Sequence, residues 1–117
     1  MPAIAGEKDP YALSKKYEED AKKMVEDMKA VTALKRGDPD FEKMVMGTRR
    51  EMNEFVAFYR RNTRISGFPS YNTLYTAINT LSGHFASYGN KYPVPEKRKK
   101  RLVQQYAEID RALLRGR

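Results

Sequence analysis

Apolar residues return at steps of three and four in four separate stretches of this chain, with breaks built around Gly and Pro between them. Such spacing lines one face of an α-helix and leaves the charged positions for the other face. In the first stretch the stripe is Leu13, Tyr17, Ala21, Met24, Met28, Val31 and Leu34. Gly37-Asp38-Pro39 ends it, with Asp38 predicted as the next N-cap and Pro39 as the first helical residue, where a missing N–H costs nothing. The second stripe is Phe41, Met44, Val45, Thr48, Met52, Phe55, Val56 and Tyr59, in a helix expected to fray near Arg64. After Ser66-Gly67-Phe68-Pro69, Ser70 is predicted to cap a third helix with Leu74, Ile78, Leu81 and Phe85 inward, and Gly89-Asn90 offers a left-handed stop. Beyond Pro93-Val94-Pro95, the last helix has Pro95 near its first turn and an inward stripe of Leu102, Val103, Tyr106, Ile109 and Leu113.

No stretch alternates with the two-residue period of a half-buried strand, so the fold class is all-α. Short connections favour antiparallel sequential neighbours, which gives a four-helix up-down-up-down bundle. A chain of 117 residues suits one domain, here 1–117 with a flexible N-terminal tail over about 1–8. With no cysteine, disulfides, zinc-thiolate sites and cysteine nucleophiles are excluded from these residues. Mean hydropathy is -0.79 and no apolar run is long enough for a membrane-spanning helix. The start, Met1 to Gly6, lacks a charged segment followed by a long apolar one, so no targeting peptide is visible there.

Little in the sequence can carry catalysis. His84 is the sole histidine, one position off the apolar stripe, and the expectation is a partly buried side chain hydrogen-bonded within the bundle. Glu18, Glu19, Asp20, Glu26 and Asp27 crowd the first helix among Lys15, Lys16, Lys22, Lys23 and Lys29, the pattern of a solvated face laced with i,i+3 and i,i+4 pairs. A di-metal bundle would need inward Glu-x-x-His sets, and there are no phosphate-binding glycine loops or nucleophile elbows. Catalytic residues, metal ligands and cofactors are therefore not expected.

Charge is more informative. The net charge is +8, and no Asp or Glu occurs from Phe55 to Pro95 although Arg60, Arg61, Arg64 and Lys91 lie there. Arginines without local carboxylates, near Tyr59, Phe68 and Tyr71, have the composition of a protein-interface anchor, with plain solvation as the alternative. Lys97-Arg98-Lys99-Lys100-Arg101 opens the last helix, where cations meet the positive end of the helix dipole. That run reads either as a solvated face or as an electrostatic patch for an acidic partner. In an up-down-up-down bundle Lys35, Arg36, Lys91 and Lys97 to Arg101 share one end, while Arg60, Arg61, Arg64, Arg115 and Arg117 share the other. Taken alone, these features describe a basic helical bundle for something acidic, and a pI near 9.7 leaves nucleic acid open as a partner.

Several motifs in order narrow this. The run Tyr59-Arg60-Arg61-Asn62-Thr63-Arg64-Ile65-Ser66-Gly67, then Ser70-Tyr71, then Thr76 through Gly89, resembles the central signature of the Psb-twenty-seven family of photosystem II assembly and repair factors. Pro93-Val94-Pro95 through Leu102 and the ending Ala112 to Arg117 resemble it too, so that the match covers about 45–117, whereas the first helix matches only in amphipathic character. The resemblance implies a non-enzymatic four-helix bundle of the thylakoid lumen, monomeric and peripheral to the membrane. It also implies transient binding to the lumenal loop of a chlorophyll-binding inner antenna subunit of the photosystem II core, before the manganese cluster is assembled. Bacterial members carry a lipidated N-terminal cysteine, whereas this chain has no cysteine, so it looks more like a plastid-type member of the chloroplast thylakoid lumen, with Ala3 to Gly6 near a processing site. The family signature runs through Arg60, Arg61 and Arg64, the expected principal contacts, and Tyr71 is expected among the partner-binding residues beside them. Lys97, Lys99 and Lys100 are expected to steer the encounter, because lysine is a hydrated point charge that fixes geometry less well than arginine.

Overall fold

An apolar stripe on one helix can leave water only by covering the stripe of another. In the structure, a computed structural model that describes residues 9–117, the stripes meet in one core. The elements are α1 (Tyr17–Thr32), α2 (Phe41–Tyr59), the single turn α3 (Thr63–Ser66), α4 (Pro69–Tyr88) and α5 (Glu96–Leu114), and the described residues include no strand. The four long helices form a bundle in which α1 packs on α2 and α5, and α5 packs on α4. Asp20 meets Tyr59 and Lys23 meets Glu51, so α1 and α2 run in opposite directions. Lys29 meets Asp110 and Thr32 meets Tyr106, which gives α1 and α5 the same opposed sense. Met24, Met28, Met52, Phe55, Leu74, Leu81, Phe85, Leu102, Tyr106 and Ile109 are fully buried between them. The tail expected over 1–8 lies outside the described residues.

Element ends depart from the sequence reading where a side chain finds a better partner than the expected one. Asp38 accepts the Lys35 N–H at 2.7 Å and so closes the preceding turn instead of capping α2. The helix begins two residues later, behind Asp40 in the left-handed region at φ 61°. Ser70 does not cap α4 either: Pro69 occupies the first turn after Phe68, and Ser70 is buried with its Oγ 2.6 Å from the Tyr17 hydroxyl. Nor does α2 reach Arg64, since it stops at Tyr59 and Asn62 starts α3 by accepting the Ile65 N–H at 3.1 Å. Val103 is 54% exposed, because the inward face of α5 passes through Leu102 and Tyr106 instead.

Residues ahead of α1 form a strap. Tyr11 lies against Gly47 of α2, where its ring fills the space that a Cβ would need, so a larger residue at 47 would have to push the ring aside. An ion pair at 2.6 Å from Arg50 to Asp9 fastens the strap, and the guanidinium holds the Asp9 carboxyl down to about 2. These contacts tie the first part of the strap to α2, while Ser14 and Lys15 tie its last part to Asp20 of α1.

Candidate partner-docking site

With no acid between Phe55 and Pro95, the turn joining α2 to α4 has no carboxylate of its own to neutralise its arginines. Arg60 follows the last residue of α2, the Asn62 N–H returns to the Tyr59 carbonyl at 3.1 Å, and Arg64 lies in α3. Arg60, Arg61 and Arg64 are all exposed, and none forms a salt bridge with a described carboxylate. Buried Ile65 pins the turn to the core, and the Arg64 guanidinium lies 5.7 Å from the centre of the Phe68 ring.

The turn is held from both sides by α1. Tyr59, the last residue before it, donates its hydroxyl to Asp20 at 2.5 Å, while Ser70 just beyond it meets Tyr17. Asp20 also accepts the Ser14 N–H at 2.7 Å, the Ser14 hydroxyl at 2.9 Å and the Lys15 N–H at 2.9 Å, with Lys15 at φ 72°. Burial and then the Asp20 carboxylate raise the Tyr59 phenol above its ordinary value, and burial pushes Tyr17 up to about 12, so both hydroxyls keep their protons. The rings of Tyr17 and Tyr59 meet edge to face at 5.3 Å, and Phe68 closes on Tyr17 at 5.9 Å. One buried and one half-buried hydrogen bond, with an aromatic cluster, thus fix the ends of the arginine turn. Asp20 was expected on a solvated face, yet it is 2% exposed; its neighbours in sequence gave no sign of the four donors that the fold collects around it.

Tyr71 needs correction as a contact. It is 5% exposed and stacked 6.3 Å from Phe55, because its position on α4 faces the aromatic cluster of α2. One turn on, Tyr75 stacks on Tyr71 at 6.1 Å and is 43% exposed, and Phe58 next to Tyr59 is also open to solvent. Those are the accessible aromatic rings of this region, and the i,i+4 spacing of Tyr71 and Tyr75 is the one sequence signal that links them.

At the α5 start, Lys97, Lys99 and Lys100 line a shallow depression of about 500 Å³ together with exposed Val103. Part of the positive charge there is already used within the fold. Lys99 pairs with Glu96 at 3.2 Å, and Arg98 lies 3.4 Å from Nδ1 of His84. His84 is buried, and its Nε2 donates to the Tyr92 carbonyl at 2.8 Å, leaving Nδ1 to accept from Arg98. Arg36 covers the Tyr92 ring at 5.5 Å and Lys91 reaches Glu42 at 3.8 Å, which brings the turn before α2 and the loop before α5 to the same end. The described residues include no group of three or more His, Asp or Glu placed to hold a metal, and no helix among them is long and apolar enough to cross a membrane.

With this geometry in hand, comparison with known proteins is specific. The family model described as Photosystem II Pbs27 matches residues 2–113. The photosystem II assembly factor lipoprotein Psb27 of Thermosynechococcus vestitus is 35% identical over 104 residues, spanning 89% of this chain and 77% of that protein. The chloroplastic photosystem II repair protein PSB27-H1 of Arabidopsis thaliana is 31% identical over 106 residues, spanning 91% of this chain and 61% of that protein. The solution structure of Psb27 from cyanobacterial photosystem II superposes with a TM-score of 0.83 at 30% identity, covering 92% of each chain. The crystal structure of PSB27 from Arabidopsis thaliana gives 0.84 at 31% identity, covering 88% of this chain and 100% of that one.

Proposed function

Because the chain belongs to the photosystem II Pbs27 family, we propose that it is an assembly and repair factor of photosystem II that works by docking and not by catalysis. It docks transiently, as a monomer on the lumenal side of the thylakoid membrane, on the lumenal loop of a chlorophyll-binding inner antenna subunit before the manganese cluster is in place. The observation that carries this reading is the exposed arginine turn, without described carboxylate partners and clamped at both ends to α1. A turn fixed at both ends presents these arginines from a set backbone, and their planar donor forks match carboxylates, so an acidic lumenal surface is the matching partner. Lys97 and Lys100, exposed at the other end, add the long-range field that speeds encounter. Later subunits must displace such a factor, which favours a contact built on a few exposed charges over a large apolar face.

Capture of partners from solubilised thylakoids, followed by identification of the bound subunit, tests the partner. Surface plasmon resonance on the immobilised core complex tests the surface. Arg61→Ala and Arg64→Ala should leave helix content unchanged and accelerate dissociation by roughly tenfold or more, since loss of a close charge contact acts mainly on the off-rate. If the arginine variants bind normally while loss of the α5 lysines shortens residence, the other end of the bundle is the docking end.

A further inference from the structure

Beside the arginine turn, the start of α1 and the end of α5 enclose a cleft of about 320 Å³. Its apolar lining comes from Tyr17, Ile65, Phe68 and Leu113, all of which also belong to or pack against the core. Arg64, Lys16 and Arg117 bring positive charge to it, and Glu18 brings a carboxylate. Lys16 is partly engaged by Glu19 at 4.0 Å, whereas Arg64 has no described carboxylate and rests over Phe68. A guanidinium laid over a ring has its plane set in advance, which leaves its edge donors ready for a bidentate carboxylate. The volume is at the bottom of the ~300–1,000 Å³ range of small-molecule sites, and suits one or two side chains of a partner better than a cofactor.

We propose that this cleft is the anchoring point of the docked complex, taking a partner carboxylate on Arg64 and the adjacent apolar side chain of the same segment against Phe68, Ile65 and Leu113. This rests on the docking function proposed above and adds the chemistry of the segment recognised, an acidic residue next to a leucine-, isoleucine- or phenylalanine-like one. Charge alone would accept any anion. The apolar lining supplies selection, because only a side chain that fills it gains from leaving water. Glu18 opposes the incoming carboxylate and keeps the contact weak enough to be reversed.

The test uses the full chain and immobilised photosystem II core complexes, with Arg61→Ala as a variant outside the cleft. Arg64→Lys keeps the charge and loses the fork, so residence time should fall about tenfold while the association rate stays within about twofold. Phe68→Ala should shorten residence similarly, and Glu18→Gln should lengthen it. Thermal unfolding of each variant checks that it is folded; if Phe68→Ala is not, the exposed Arg64→Lys decides alone. Normal dissociation of a folded Arg64→Lys or Phe68→Ala, with Arg61→Ala dissociating fast, overturns the cleft and leaves the docking surface standing. Normal dissociation of all three, Arg61→Ala included, overturns the docking surface and the cleft together.

Discussion

Asp20 and Glu51 are buried carboxylates within reach of the same helix pair, and their surroundings treat them differently. Asp20 receives four hydrogen bonds. Glu51, 1% exposed, has Lys23 at 3.4 Å from one oxygen and no described partner for the other. Burial first, and then the Asp27 carboxyl nearby, push Glu51 from 4.5 up to about 9, and Lys23 offsets only part of this. Between those two values the folded protein holds a proton that the unfolded chain has released, so this group's contribution to stability is full below pH 4.5 and falls as pH rises to about 9. Glu51→Gln should therefore raise Tm at pH 8 by a few degrees, roughly 2–5 °C, and leave it nearly unchanged at pH 4.5. An identical pH profile for wild type and variant in calorimetry would refute the assignment. Asp20→Asn puts an amide donor among four donors and should cost about 2–3 kcal/mol in denaturant unfolding. It should also shorten residence on photosystem II, because the arginine turn loses its tie. Thr32→Val removes the buried hydroxyl bond to Tyr106 further along α1 and should destabilise without altering dissociation. Equal effects of the two changes on dissociation would make Asp20 a stability residue and nothing more.

Among the elements, α5 is built against its own dipole. Five cations follow Glu96 in its first turns, and the single Glu96–Lys99 pair offsets only part of the conflict. Replacing Lys97, Lys99 and Lys100 together by Gln should therefore stabilise the fold slightly, by about 0.3–1 kcal/mol. The same variant should lower the association rate and flatten its salt dependence while residence time holds. A triple variant that associates at the wild-type rate would return this run to the role of an ordinary solvated face. Helix existence and the middle of each inward stripe were legible because they depend on periodicity within one segment, while Val103 at a stripe edge was not. Helix ends were not. Asp38, Asp40 and Ser70 are all competent caps by residue type, and the choice among them depended on Lys35 and on Tyr17, one of them far away in sequence.

At the scale of the whole molecule, the fold measures 44 × 40 × 22 Å along its principal axes and carries the net charge of +8 with basic residues toward both ends. Such a field attracts any polyanion weakly and selects none. Titration with labelled single- and double-stranded DNA and RNA at physiological salt should show only weak, sequence-blind and steeply salt-dependent association. Submicromolar binding there would favour nucleic acid over the photosystem II docking surface. At the α5 end Glu96 and Glu42 offset part of the charge by pairing with Lys99 and Lys91, whereas Arg98 and Arg36 rest against uncharged rings and keep theirs.

By itself the sequence determined four amphipathic helices, the breaks between them and the acid-free arginine segment, because each of these follows from residue type and spacing along a short stretch. Only the tertiary structure decided that Tyr71 turns inward while Tyr75 stays accessible, that Val103 faces water, and that Asp20 and Glu51 leave it. A helical stripe has soft edges, and whether a residue at the edge is covered depends on how closely the next helix approaches it. Burial of a carboxylate depends in turn on donors gathered from other segments: Ser14 and Lys15 from the strap and Tyr59 from α2 meet Asp20 only once α1 and α2 are packed antiparallel.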